Sequence, residues 1–129
     1  MSGKAEYWID LADYDFETAK AMQKTSRYLY VGFMCHQTIE KALKAIIAEC
    51  CAEGDIPPKT HDLSKLAKIA KVFEDMTESQ LEFIEFLNPI NVGARYPECS
   101  QHFLSVEECA EIVKETEELL CWIKKQLRE

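Results

Sequence analysis

The sequence predicts an all-α protein: an up-and-down bundle of four to five helices, built as one domain over residues 1–129. Three observations predict this. Apolar residues recur in steps of three and four along the long stretches of the chain, which is the helical period. Glycine and proline are scarce, four of each in 129 residues, so long elements with few breaks are expected. No stretch alternates apolar and polar residues as a half-buried strand does. The length suits one core and is too short for two ordinary domains.

Residues 4–23 form the first expected helix, with Trp8, Leu11, Ala12, Ala19 and Met22 at helical spacing. Asp10, Asp13 and Glu17 fall mostly off that stripe. Asp15 lies seven residues after Trp8, on the apolar side, and a carboxylate there needs a partner. It is read as a boundary residue or as the partner of a lysine on the second helix. Residues 24–27 are a short turn, so the first two helices pack antiparallel.

Residues 28–50 are the central helix. Cys35, Ile39, Ala42, Leu43, Ile46 and Cys50 fall on one wide face. Gln37, Glu40, Lys41 and Lys44 form a narrow stripe opposite, and Glu40 precedes Lys44 by four residues, the favourable order for a helix ion pair. Tyr30 and Phe33 continue the line of that stripe. The first turns are thus apolar nearly all round, as expected of a helix covered on several sides. The stripe is either the solvated edge of a core helix or a set of side chains facing a cleft or subunit interface. His36, on the apolar side, reads as a packed residue.

The run Gly54-Asp55-Ile56-Pro57-Pro58 ends this helix. Thr60-His61-Asp62 opens a third, with Leu63, Leu66, Ala70 and Phe73 inward. Thr60 or Asp62 is its N-cap, and His61 adds a hydrogen bond that fixes the start. Thr77-Glu78-Ser79-Gln80 is a capping box. It opens a fourth helix over 78–88 with Leu81, Ile84 and Leu87 inward, widened by Phe83 and Phe86 and ended by Pro89. Residues 89–104 are expected to be irregular. Gly93 allows a turn, and Pro97 biases Tyr96 away from helix. Ser105-Val106-Glu107-Glu108 is a second capping box. The last helix carries Val106, Cys109, Val113, Thr116, Leu120, Ile123 and Leu127 as a bundle or dimer seam. Its outer face, Glu107, Glu111, Glu115 and Glu118, reads as solvated.

The formal net charge of −8 disfavours tight, sequence-independent binding to nucleic acid, which rests on cationic contacts to phosphate. The densest basic group, Lys59, Lys65, Lys68 and Lys71, reads as a solvated helix face. Six cysteines without a C-x-x-C pair read as free thiols used as small apolar residues, and zinc-ligand spacing is absent. No apolar run approaches the ~20 residues needed to cross a bilayer, and the N-terminus has no signal-peptide core. A cytoplasmic protein without a membrane partner, metal or cofactor is expected.

Chemistry concentrates in the irregular segment, because loops on a rigid scaffold carry function. Arg95 and His102 stand there, separated by six residues. A guanidinium stabilises a charged phosphoryl group, and an imidazole moves a proton near neutral pH. Together they suit metal-independent RNA cleavage, with His102 taking the 2′-hydroxyl proton and Arg95 holding the charge that develops on phosphate. The alternative is a structural Arg95, ion-paired to Glu40 or Asp15.

Four pieces of the sequence occur in a telling order: Trp8…Ala12…Asp15…Ala19, His36-Gln37…Glu40-Lys41-Ala42-Leu43-Lys44-Ala45, His61-Asp62-Leu63…Leu66, and Ala94-Arg95-Tyr96-Pro97. Together they resemble the HEPN domain, in the stand-alone prokaryotic branch that often carries an Arg-Tyr-Pro segment. The resemblance spans nearly the whole chain. It implies an up-and-down helical bundle forming a two-fold homodimer. Many such domains are metal-independent RNases with an arginine, four to six residues, then a histidine, a spacing that Arg95 and His102 fit. Where active members commonly carry a polar residue after the arginine, this chain has Tyr96. The branch is often encoded beside a small nucleotidyltransferase, forming a toxin–antitoxin or related two-component system. Other members bind nucleotides or serve as non-catalytic interaction modules. On this reading Arg95, Tyr96 and His102, with Gln37, Glu40 and Lys44, line a cleft at the two-fold axis.

Overall fold

Five α-helices and one 3₁₀ turn make up the described residues: α1 Gly3–Lys24, α2 Tyr28–Cys50, α3 Leu63–Ile69, the turn Phe73–Asp75, α4 Glu78–Arg95 and α5 Val106–Arg128. The structure, a computed structural model, describes residues 2–50, 58–95 (91–95 by backbone) and 104–128.

Local chemistry sets most of the helix starts. The Ser2 hydroxyl accepts the Ala5 N–H at 3.2 Å, and the Asp62 carboxylate accepts the Lys65 N–H at 3.2 Å. Both expected capping boxes form. At Thr77 the hydroxyl accepts from Gln80 N–H at 3.1 Å, and the Gln80 side chain returns the bond at 2.9 Å. Ser105 and Glu108 repeat the pattern at 3.1 and 2.9 Å. Each such cap contributes about 1 kcal/mol by satisfying donors that the first turn leaves open. The α1–α2 turn closes through Ser26, whose φ of 62° lies in the left-handed region.

Cross-helix contacts fix the helix directions. Lys41 pairs with Asp15, and the Ser2 N–H donates to Glu49, so α1 runs antiparallel to α2. The Cys109 thiol approaches the Tyr28 carbonyl at 4.0 Å, and Cys35 faces the Thr116 hydroxyl, so α5 runs parallel to α2. At Gly32 a Cβ would lie 2.7 Å from Ile90 Cγ2 and 3.2 Å from Leu104 Cδ1, so only glycine allows this close approach. That contact sets the last turns of α4 beside the first turns of α2. Two residues earlier on α4 the Asn88 side chain accepts from the Leu63 N–H at 2.9 Å, while His61, just before Leu63 in the chain, reaches Glu40, eight positions further along α2 than Gly32. Helix α4 therefore runs opposite to α2, and α1, α2, α4 and α5 alternate up and down. Helix α2 is the axis, covered by α1, α4, α5 and α3, and it contributes Val31, Cys35, Ile39, Ala42, Leu43, Ala45, Ile46 and Ile47 to the core.

Several expectations need correction. Helix α4 continues through Pro89 to Arg95, so residues 89–95, expected to be irregular, are helical. Proline removes one intrahelical bond and costs about 3 kcal/mol in a helix interior. Pro89 sits on the exposed side, where water can satisfy the deprived carbonyl, and Ile90 on the next position is held against Gly32. Phe86 points outward, 47% exposed, and Val106 lies outside the seam at 56%. The buried stripe of α1 is Ala5, Ile9, Ala12, Asp15, Phe16 and Ala19, with Trp8 at its margin. Cys35 and Cys109 are buried as expected, but Cys50 and Cys121 are exposed thiols; Cys51 and Cys99 lie outside the described residues. No helix among the described residues is long and apolar enough to cross a membrane.

Candidate functional site

The polar stripe of α2 is not a solvated edge. Gln37, Glu40 and Lys44 are buried, at 8%, 3% and 7% exposure, because α1 and the approach to α3 close over it. Only Lys41 reaches partly into solvent, and it holds the buried Asp15 of α1. Of the two roles considered for Asp15, pairing with a lysine of the second helix is the one the fold uses.

Glu40 is the hub of this cluster. Its Oε2 accepts from Lys44 Nζ at 3.0 Å, and its Oε1 lies 2.9 Å from His61 Nδ1. His36, fully buried, places Nδ1 3.8 Å from the same Oε1 and 3.5 Å from the Gln37 amide nitrogen. The Lys44 ammonium also sits over the Trp8 ring, 5.6 Å from its centroid, so α1 supplies a face for the cation. A buried charge is tolerable only when paired and hydrogen-bonded, and here both carboxylate oxygens are engaged.

His61 is the open side of the hub, with a side chain 47% exposed. A carboxylate oxygen accepts, so in this bond the His61 Nδ1 donates. The cluster thus anchors the start of α3, beside the Asp62 cap, and fixes the orientation of a half-open imidazole. The sequence signalled this role through the Thr60-His61-Asp62 run and missed only its partner. That partner comes from a residue 21 positions away in the chain.

Arg95 is placed elsewhere. It is the last residue of α4, five positions past the Ile90–Gly32 contact, at the bundle end where α2 and α5 begin. Glu40 lies eight positions along α2 in the opposite direction. At 1.5 Å rise per residue the two backbones are on the order of 20 Å apart along the bundle axis. The protomer therefore brings Gln37, Glu40 and Lys44 together and keeps the Arg95 backbone away from them. Tyr96 and His102 lie outside the described residues. Among the described residues, no group of three or more His, Cys, Asp or Glu side chains is arranged to hold a metal ion.

A family model for the HEPN domain matches residues 5–126. The chain belongs to the HEPN family. Its all-α, up-and-down architecture is shared by two solved structures of low sequence identity. One is TT1696 from Thermus thermophilus, which superposes on this HEPN chain with a TM-score of 0.79 at 20% identity, covering 96% of this chain and 98% of that one. The other is ST0689, described as an archaeal HEPN homologue, with a TM-score of 0.71 at 23% identity, covering 97% and 98%. No functionally curated protein matches the chain. At these identities the likeness establishes the fold of this HEPN domain, and its chemistry has to be argued from its own residues.

Proposed function

We propose that this HEPN domain is one component of a two-component, toxin–antitoxin-like system, that its partner is a small nucleotidyltransferase, and that it works as a homodimer. The observation that carries the choice of a protein partner over nucleic acid is the charge of the outer surface. The chain has a net charge of −8, and Glu107, Glu111, Glu117 and Glu118 stand exposed along α5. Such a face repels a phosphate backbone. For the homodimer, Tyr7 and Tyr14 supply a contact stripe: they are 60% and 72% exposed at heptad spacing on α1. The test is co-expression with a nucleotidyltransferase from a neighbouring gene. A complex that survives gel filtration supports the reading, and a HEPN protein that always elutes alone overturns it.

A second reading, a metal-independent RNase using Arg95 and His102, is supported by one observation. Helix α4 reaches Arg95, so the backbone of that residue belongs to a regular helix end rather than to a long loop. In this reading Tyr96 and the bundle end form the cleft with a second subunit. Its test is RNA cleavage in EDTA, abolished by Arg95→Ala and by His102→Ala with the helical content retained. RNA left intact by the unaltered protein refutes it.

A further inference from the structure

Helices α4 and α5 leave a groove between them of about 280 Å³, lined by Ser79, Glu82, Phe83 and Phe86 from α4 and by Glu108, Glu111, Ile112 and Glu115 from α5. Its floor is apolar. Phe83 and Ile112 are buried, and Phe86 rises from the floor with 47% of its surface exposed. Its rims are acidic, and among the described residues no lysine or arginine lines it. Glu108 is committed to the Ser105 cap, which leaves Glu82, Glu111 and Glu115 to face a visitor. Burial, then the neighbouring Glu111 and Glu118, raise the pKa of Glu115, against a smaller opposing effect of Lys114.

We infer that the α4–α5 groove is a docking site for a cationic amphipathic helix of a partner protein, with an apolar side chain seated against Phe86 and lysines or arginines along both rims. Charge complementarity decides the occupant. A second copy of this chain, brought in with the groove on the two-fold axis, would set these carboxylates against themselves. A helix is the form that fits, because the lining residues span seven positions on each wall, about 10 Å or two helical turns. Helix-in-groove recognition reads such anchors at spacings of three, four and seven. The inference goes beyond the proposed nucleotidyltransferase partnership and stands or falls separately from it.

The test uses the full chain and two synthetic 18-residue helical peptides with the same leucine and tryptophan anchors. One carries lysine and arginine on its flanks, the other glutamate. Fluorescence anisotropy at physiological salt is expected to show the cationic peptide binding at least tenfold more tightly. Phe86→Asp should weaken it tenfold or more, and the milder Phe86→Ser several-fold, with circular dichroism unchanged. Glu111→Lys with Glu115→Lys should reverse the preference between the peptides. Ile69→Asp, at an exposed apolar position on α3, should leave binding as it was. Equal affinity for the two peptides overturns the inference, as does indifference to both Phe86 substitutions. Sedimentation showing a dimer that Phe86→Asp dissociates would assign the groove to a second copy and overturn it as well.

Discussion

Replacing Glu40 by leucine leaves the Lys44 ammonium, whose side chain is 9% exposed, without its carboxylate. Breaking a buried ion pair from one side costs about 3–5 kcal/mol, because an uncompensated charge remains in a poorly solvated place. His61 also loses the acceptor that holds it at the start of α3. Lys44→Met should sit at the lower end of the same range, since His61 still donates to Glu40. Changing both residues at once removes the charges together, and buried pairs replaced by apolar side chains of similar volume are often neutral. The double variant should therefore cost less than either single one, about 0–2 kcal/mol. For a domain of this size a loss of 4 kcal/mol lowers Tm by about 15 °C, from an unfolding entropy of about 2.1 cal/mol/K per residue. Urea titration followed by tryptophan fluorescence and far-ultraviolet circular dichroism reads this out, and coincident curves establish two-state unfolding. Trp8 lies over Lys44, so its emission reports on the cluster directly. Single losses that simply add in the double variant would refute the argument that charge pairing, rather than side-chain volume, governs this site. A Glu40→Leu cost below 1 kcal/mol would do the same.

Other outcomes follow from the packing and the titrating groups. Gly32→Ala gains about 1 kcal/mol of helix propensity but forces a Cβ to 2.7 Å from Ile90 Cγ2, an overpacking cost of about 1–3 kcal/mol; denaturation should show no gain or a net loss, recovered in part by Ile90→Ala. Cys50 and Cys121 should react with a thiol reagent in the native protein, while Cys35 waits for denaturant. Burial pushes the Cys35 thiol up to about 12 from an ordinary 9.0, so the fold favours its protonated form. That contribution to stability is full below pH 9 and is lost as pH rises towards 12, and Cys35→Ala should flatten the decline measured by urea titration across that window. Glu115 is raised in the same sense, so its contribution falls as pH rises through the carboxylate range; Glu115→Gln should raise Tm at pH 7 and make no difference at acid pH.

The element pattern was legible in the sequence wherever the signal is local. Capping boxes at Thr77 and Ser105 and the cap at Asp62 depend on contacts within a few residues, and such contacts are written in order along the chain. The expected helix stop at Gly54–Pro58 lies largely outside the described residues. Pro89 misled for the complementary reason. Its local cost is real, but the continuation of α4 is decided by Ile90 seating on Gly32, a contact across 58 positions that no local rule contains. Phe86 misled similarly, since a phenylalanine beside an apolar stripe looks like core until the gap between α4 and α5 is known.

What the sequence determined alone was the all-α class, the helix starts and the family resemblance, all of which rest on short-range chemistry and on order along the chain. What only the tertiary structure decided was the environment of each polar side chain. Periodicity put Gln37, Glu40 and Lys44 on one stripe of α2, but whether a stripe meets water depends on what packs over it. Here the covering elements, α1 and the approach to α3, come from both sides in sequence. The same holds for Arg95, whose remoteness from Glu40 follows from the antiparallel course of α4 and α2 rather than from any spacing in the chain.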